Sequence, residues 1–529
     1  MKKLFFVAIL LCATTSYGQD WIRIFGEEHY WAAPFNIYEM YDKGFLICYN
    51  FQHTQSSFEE IGLLKTDING NMLFDKHIGN STSYSIHNGG INITVDGGVI
   101  ISGQIFSEDS SGDPFILKLD ACYNSEWCKV YHTPNLYDWA GSIQYVPWDS
   151  TFVFIVFNHY YDLSDKRISL FKVDGTGNLI WSNTYCTNNS YRNETPMGVC
   201  ISEYDSTFLL YGHVFLNDTI NFYTEPYWSK IDNNGDILWE RFIMPDTSYI
   251  GGLACHQPLF HDNGNLSLPA ISAFDPYTRL FNLDKDGNYL GRSIFYKADT
   301  VNKIDITCSN QMNNGNFIFG VQNICDNTGF YTVQVTDSSG NFINERVPPY
   351  DAYVYDIIGT SDDKILLSCQ HDYDLQDFMI IKYNSQLQYD SIYTQQLIYD
   401  SLCQGSITSG NIDFSCDVIT KISERINQGK ENLTISPNPC EDYFIIYLPE
   451  TNLIKEVSNQ QEVKRILKNE AHNLKLSIFD SNGRLIYDKS WPEGLKEQVI
   501  NTTSWKHGIY LIRIANNSEV VSTGKVIVK

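Results

Sequence analysis

The 529-residue chain is poor in positive charge: 37 Lys and Arg stand against 62 Asp and Glu, for a net charge of −25. Nucleic acid and anionic lipid are held by basic patches, so this shortage argues against both as partners. Long apolar runs are lacking as well. After the first 20 residues no segment approaches the ~20 apolar residues that a membrane-spanning helix needs. The 12 histidines are scattered, and His256, His261 and Asp262, the nearest thing to a cluster, match no metal-binding spacing. There is no CxxC pair of the zinc kind, no Gly-x-Ser-x-Gly elbow, no His-Glu-x-x-His and no phosphate loop. The sequence therefore nominates no catalytic residue, no metal ligand and no cofactor site.

What is present is aromatic and polar. Aromatic residues make up 14% of the chain, with 35 Tyr and 30 Phe, and Asn, Asp and Gly are plentiful. That mixture suits strands joined by tight turns better than it suits helices. Lys2 and Lys3 precede an apolar run from Leu4 to Ala13, with small and polar residues up to Gly18. This is the layout of a secretory signal, with cleavage expected near Gly18–Gln19. Removal of residues 1–18 takes away Cys12 and leaves 12 cysteines, an even number in an exported chain, where disulfides persist. Cys122 and Cys128 could close a short loop and Cys403 and Cys416 a longer one, the latter worth about 3 kcal/mol by loop entropy. The competing expectation is that most of these thiols are small buried hydrophobes.

Internal repetition decides the fold expectation. A signature Lys-x-Asp-x-x-Gly-Asn runs from Lys65 to Asn71, from Lys172 to Asn178 (closing on Trp181) and, with Asp236 last, from Lys230 (closing on Trp239). Related copies sit at Asp284, Asp120, Asp337 and Asn384, making seven. A polar turn leading into an apolar run precedes each copy by 22 to 27 residues, as at Asp42, Asp96, Asp149, Asp205, Asp262, Asn313 and Asp362. Each unit then holds four short strands in ~50 residues, the pattern of a β-propeller. Seven copies predict seven blades, with six or eight the neighbouring solutions. Trp21 to Gly26 resembles the last strand of a unit without the rest, and is expected to pair with the final blade and close the ring. Asp284-x-Asp286-Gly287 starts like a calcium loop, but Phe295 stands where the closing acidic ligand belongs, so turn chemistry is the expectation there. Asp-Ser and Asp-Thr dipeptides, as at Asp149 and Asp205, are read as turns or as O-glycosylation sites.

Beyond Ile419 the composition changes. From Asn432 onward there are 12 Lys and Arg against 11 Asp and Glu, which leaves a charge of −26 on the rest of the chain. Roughly seven short strands follow in ~95 residues, as expected of a small Ig-like β-sandwich. Pro437-Asn438-Pro439, the Asn482-Gly483-Arg484 turn, Gly508-x-Tyr510 and Gly524-Lys525 stand in order up to the C-terminus. Taken together they resemble the type A sorting domain of the type IX secretion system of Bacteroidota. The resemblance implies recognition by that machinery at the outer membrane, and a secreted or surface-displayed product. The body also resembles poorly characterised propeller repeats of such exported proteins.

The expected organisation is an all-β chain: signal peptide 1–18, seven-bladed propeller 19–416, linker 417–432 and sorting domain 433–529. The expected function is binding of a glycan or protein ligand by aromatic-rich loops at one end of the ring. A polysaccharide-processing enzyme with its site in the propeller is the alternative.

Overall fold

The computed structural model describes residues 21–529 except 27–29, 54–58, 80–85, 107–111, 133–135, 161–165, 186–191, 218–221, 243–252, 256, 273–278, 295–302, 326–327, 372–376, 420–424, 428–433, 448–473, 481–483, 492–496 and 517–518. The expected signal peptide lies outside the described residues. The chain divides into two compact units, up to Ile426 and from Asn427 onward.

In the first unit the described residues form seven antiparallel sheets in chain order. Blade 1, for example, consists of Tyr30–Glu39, Phe45–His53, Glu59–Thr66 and Met72–Ile78, counted from the axis outward. Blades 2 to 7 occupy residues 86–131, 136–185, 192–242, 253–294, 303–346 and 353–383. Successive blades lie against each other in chain order, through their innermost strands between blades 1, 2, 3 and 4 and between 6 and 7, and through neighbouring strands on either side of blade 5; Tyr30–Glu39 lies against Tyr353–Gly359, so the ring closes. As expected, Ile22–Phe25 supplies the missing outer strand of blade 7, pairing antiparallel with Phe378–Ile381. This is the seven-bladed propeller that the repeats predict.

Strands read as continuous apolar runs because both faces of every blade are covered. Leu46 belongs to the core between blades 1 and 2, while its neighbour Ile47 belongs to the core between blades 7 and 1. Similar apolar layers lie between each further pair of blades.

The two sequence marks turn out to be the two halves of an ion pair whose lysine is buried and whose carboxylate is in most blades partly exposed. The signature lysine on the third strand reaches the aspartate of the preceding turn: Lys65–Asp42 at 2.8 Å, Lys118–Asp96 at 2.9 Å, Lys172–Asp149 at 2.5 Å and Lys230–Asp205 at 2.5 Å. In blade 7, Lys382 lies between Asp362 at 3.7 Å and Asp390 at 3.3 Å. Blades 5 and 6 lack the pair, and both partners have changed together. Asn282 and Val335 hold the lysine's place in the strand register. Neutral Asn263 and Asn314 hold the carboxylate's place in the turn, so Asn263, not the expected Asp262, is the equivalent residue. An ion left alone in this environment costs several kcal/mol, so charge is kept or lost in pairs.

The remaining signature residues link one blade to the next. Gly70, Gly177, Gly235 and Gly287 all have φ between +77° and +87°. Each also receives an aromatic ring from the outer strand of the preceding blade: Trp21, Trp127, Trp181 and Trp239 in turn. A Cβ on Gly177 would stand 2.7 Å from the Trp127 ring. Glycine is thus required twice, for the left-handed turn and for the neighbour's tryptophan.

After blade 7 the chain does not stop at a linker. It runs back past blade 1 and lays short strands along the outer edges of three blades: Gly410–Asn411 on blade 1, Asp417–Ile419 on blade 2 and Arg425–Asn427 on blade 3. Segment 417–432 therefore contains two strands of the propeller's edge. Two disulfides fasten this strap, Cys122–Cys403 and Cys128–Cys416. The expected Cys403–Cys416 and Cys122–Cys128 pairings are not made. Short sequence separation suggested them, but the strap brings each late cysteine onto blade 2. Cys48, Cys200, Cys308, Cys369 and Cys440 are buried thiols, as the alternative expectation had it for part of the set.

The second unit is a two-sheet sandwich. Thr434–Ser436, Tyr443–Tyr447 and Glu497–Asn501 form one sheet; Leu485–Ser490, Leu474–Asp480, Gly508–Asn516 and Glu519–Val528 form the other. Phe444, Ile446, Leu476, Ile478, Ile512 and Val526 fill the core between them.

Candidate functional site

Three of the four sequence-distant pieces of the sorting motif meet on the last strand. Asn438 Nδ2 donates to the Lys525 carbonyl at 2.8 Å, and the Ile527 amide donates back to Asn438 Oδ1 at 3.0 Å. Both flanking bonds, Ser436–Pro437 and Asn438–Pro439, are cis. Gly508 pairs with Val528, Tyr510 with Val526, and Gly524 with Ile512. The Tyr510 ring is buried beside Trp505 and its hydroxyl donates to the Lys506 carbonyl at 2.7 Å, while Lys525 is exposed. Gly483 lies outside the described residues. The motif is therefore a clamp on the C-terminal strand, which sequence order alone does not show.

In the propeller, the turn aspartates are fully used by their own loops. Asp67 Oδ1 accepts the Asn69 and Asn71 amides at 2.8 Å each, and Oδ2 accepts Asn71 Nδ2 at 2.8 Å. Asp284 does the same with Asp286 and Asn288. Hydrogen bonds from the Asn288 side chain and amide hold the Asp284 carboxyl below its ordinary value. These are Asx turns, the turn-chemistry expectation for the calcium-like loop. Asp149 and Asp205 are likewise occupied, each binding its lysine and accepting the hydroxyl of Thr151 or Thr207. His261 is half-buried, bonded to Ser267 at 2.7 Å, and burial lowers its proton affinity; His256 lies outside the described residues.

The opposite end of the ring is different in character. Six innermost strands carry a β-bulge at the same level, between Pro34/Asn36, Asn88/Gly90, Ala140/Ile143, Pro196/Gly198, Ile306/Cys308 and Val354/Asp356. Bulges bend a strand and re-aim its side chains. At or before them stand Trp139 and Met197, 43% and 45% exposed. Trp139 lies 5.7 Å from Phe157. Tyr331, Tyr353 and Tyr355 form a half-exposed run with ring centres 4.9 and 4.6 Å apart. Gln322 donates to the Tyr331 hydroxyl at 2.9 Å, and the Tyr355 hydroxyl donates to Gln370 at 2.9 Å, which fixes the outer rings. Beside them Asp356 bridges blades 7 and 1, accepting the Ile37 and Ile357 amides at 2.9 Å each. Burial outweighs those hydrogen bonds and pushes its carboxyl up to about 6. Many of the loops expected to carry the site at this end lie outside the described residues.

The fold is a seven-bladed propeller followed by a sandwich whose last strand is clamped by the Pro437-Asn438-Pro439 segment. Residues 434–529 match the Secretion system C-terminal sorting domain family. The chain thus carries a type IX sorting domain, which marks it for export to the outer surface or the medium. No curated protein matches it. Among solved structures it is similar to streptogramin B lyase (13% identity, 68% of this chain and 98% of that one, TM-score 0.41). It is also similar to the Dos1 propeller (11% identity, 73% and 81%, TM-score 0.42). A third is the periplasmic gluconolactonase PpgL of Pseudomonas aeruginosa (12% identity, 59% and 85%, TM-score 0.38). These likenesses concern the fold alone.

Proposed function

We propose that the exported propeller is a binding module for an extracellular glycan or protein, and that its ligand site is the bulged, aromatic end of the ring. The observation that carries this reading is the set of partly exposed rings, with Trp139, Tyr353 and Tyr355 on innermost strands and Tyr331 on the third strand of blade 6: Trp139 is open to solvent and the Tyr331–Tyr353–Tyr355 run is held by glutamines. Rings held in place lose little entropy when a sugar face or an apolar side chain stacks on them. The sorting domain delivers the module through the type IX machinery, its one implied partner inside the envelope.

The test is a screen of the secreted protein against glycans and envelope proteins. Saturable binding that Trp139→Ala or Tyr353→Ala weakens at least tenfold is expected, and its absence across both classes overturns the reading. One observation favours the polysaccharide-processing alternative: Asp356 takes up a proton near pH 6, in the range useful for acid–base work. Polysaccharide turnover that Asp356→Asn abolishes would move the assignment to an enzyme.

A further inference from the structure

The outer edges of blades 2 and 7 are built alike but occupied differently. On blade 2, Trp127 and Lys129 of the outer strand flank Gly177 of the next blade; on blade 7, Trp21 and Arg23 flank Gly70 in the same way. Lys129 and Arg23 are therefore equivalent positions. On blade 2 the strap adds a parallel fifth strand, with Asp417 in register with Lys129, Val418 with Val130 and Ile419 with Tyr131. The Asp417 carboxylate lies 2.6 Å from Lys129 Nζ.

On blade 7 that place holds no strand among the described residues. Ile22–Phe25 pairs with blade 7 on one side, and among the described residues no strand pairs with its other side. A cavity of about 610 Å³ lies there, lined by Arg23, Ile24, Asn69, Tyr350 and Ile392 among others. Ile24 is 48% exposed. Tyr350 is 61% exposed and held at φ 63°, a left-handed conformation that a bulky side chain adopts only under constraint. Arg23 stacks on Trp21 and donates to its neighbour's carbonyl, but among the described residues no carboxylate lies within ion-pair reach. An arginine with no carboxylate partner among the described residues, in a strongly acidic body, is a vacancy for an acid.

We propose that the edge of blade 7 is a docking site for an extended acidic segment of a partner protein, added as a fifth strand with its carboxylate on Arg23. The recognised pattern is an Asp or Glu followed by aliphatic residues, as Asp417-Val418-Ile419 presents to blade 2. Backbone hydrogen bonds to the open strand supply affinity, while Arg23 and the apolar wall of Ile24, Tyr350 and Ile392 supply selectivity. This site is separate from the aromatic end of the ring and does not depend on what binds there.

The probe is a labelled synthetic peptide of residues 412–420 carrying Cys416→Ser, titrated into the full secreted protein and followed by fluorescence anisotropy. Saturable binding is expected, weakened about tenfold by Asp417→Asn in the peptide and by Arg23→Glu in the protein. A peptide carrying Asp417→Lys should bind the Arg23→Glu protein better than it binds the original. Arg23→Gln, which keeps the stem packed on Trp21 and Gly70, should show the same loss without disturbing ring closure. The proposal is overturned if nothing binds at millimolar peptide or if Arg23→Glu and Arg23→Gln leave the affinity unchanged. It is equally overturned if a photo-cross-linker on the peptide labels residues 125–131, the strap's own place. Dimerisation of the protein that Arg23→Glu abolishes would make the occupant a second copy and overturn the partner assignment.

Discussion

Blade 4 offers a direct test of why two distant sequence marks stay in step. Lys230 is buried and its ammonium touches Asp205 at 2.5 Å, with a second bond to the Lys285 carbonyl at 2.9 Å. Asp205 also accepts Ser202 and Thr207 at 2.7 Å each, so its oxygens are fully committed. Lys230→Val copies blade 6 at one position and strands a carboxylate; Asp205→Asn copies it at the other and strands an ammonium. Removing one partner of a buried pair costs about 3–5 kcal/mol, and partial exposure of Asp205 puts the expected value near the lower end, about 3 kcal/mol for each single change. The double variant reproduces the neutral arrangement of Asn314 and Val335, and should lose only about 1 kcal/mol, chiefly the bond to Lys285. The coupling energy is then about 5 kcal/mol, above the usual range for touching residues. Urea unfolding of the four proteins, followed by tryptophan fluorescence with disulfides intact, measures it. Single effects that simply add would refute the reasoning.

The same pairs set the acid response. Burial alone would raise the carboxyls of Asp96, Asp149 and Asp205, but hydrogen bonds, those from their lysines included, outweigh burial and hold all three below the ordinary value. Their contribution is complete above about pH 4 and drains away as pH falls through the folded values, so the lysine-to-valine, aspartate-to-asparagine double variants should show a flatter acid limb in unfolding scans. Asp356 has the opposite sign. With its folded value raised to about 6, stability falls as pH climbs from about 4 to 6, and Asp356→Asn should remove that slope. Gly287→Ala meets both a left-handed φ of +77° and the Trp239 ring at 2.7 Å, whereas Gly315→Ala meets the φ of +84° alone. The second should cost about 1–2 kcal/mol and the first clearly more, read as thermal midpoints; equal losses would remove tryptophan seating as a cause. Reduction should release the strap without opening the ring. The first disulfide closes a loop of 281 residues, worth about 6 kcal/mol in the loop-entropy account, and the second adds about 3 kcal/mol because the ends are already joined. Proteolysis after reduction is expected between residues 384 and 419, with cuts inside the blades counting against it. In the sandwich, Asn438→Ala removes two hydrogen bonds to the last strand, about 1–2 kcal/mol, and should leave the protein inside the cell in a secretion assay.

Much of this was legible in the order of residues. An Asx-capped turn recurs seven times, headed by Asp in six copies and by Asn384 in the seventh, and dictates seven equivalent hairpins; its positive-φ position is glycine in five copies and Tyr123 or Leu387 in the other two. Trp21 to Gly26 could be read as an outer strand because it resembles the Trp-bearing strand that ends a unit, as at Trp181 to Tyr185. The sorting motif was legible too, as four short pieces near the C-terminus. Tertiary structure alone decided the rest, since it depends on contacts between residues hundreds of positions apart. Spacing favoured Cys403 with Cys416, yet the strap carries each to blade 2, 281 and 288 residues upstream in sequence. The equivalence of Arg23 and Lys129 emerges only when both are seen flanking a glycine of the next blade. Local chemistry specifies each turn and strand; which edge is filled and which stays open is settled by closure of the ring and the path of the strap around it.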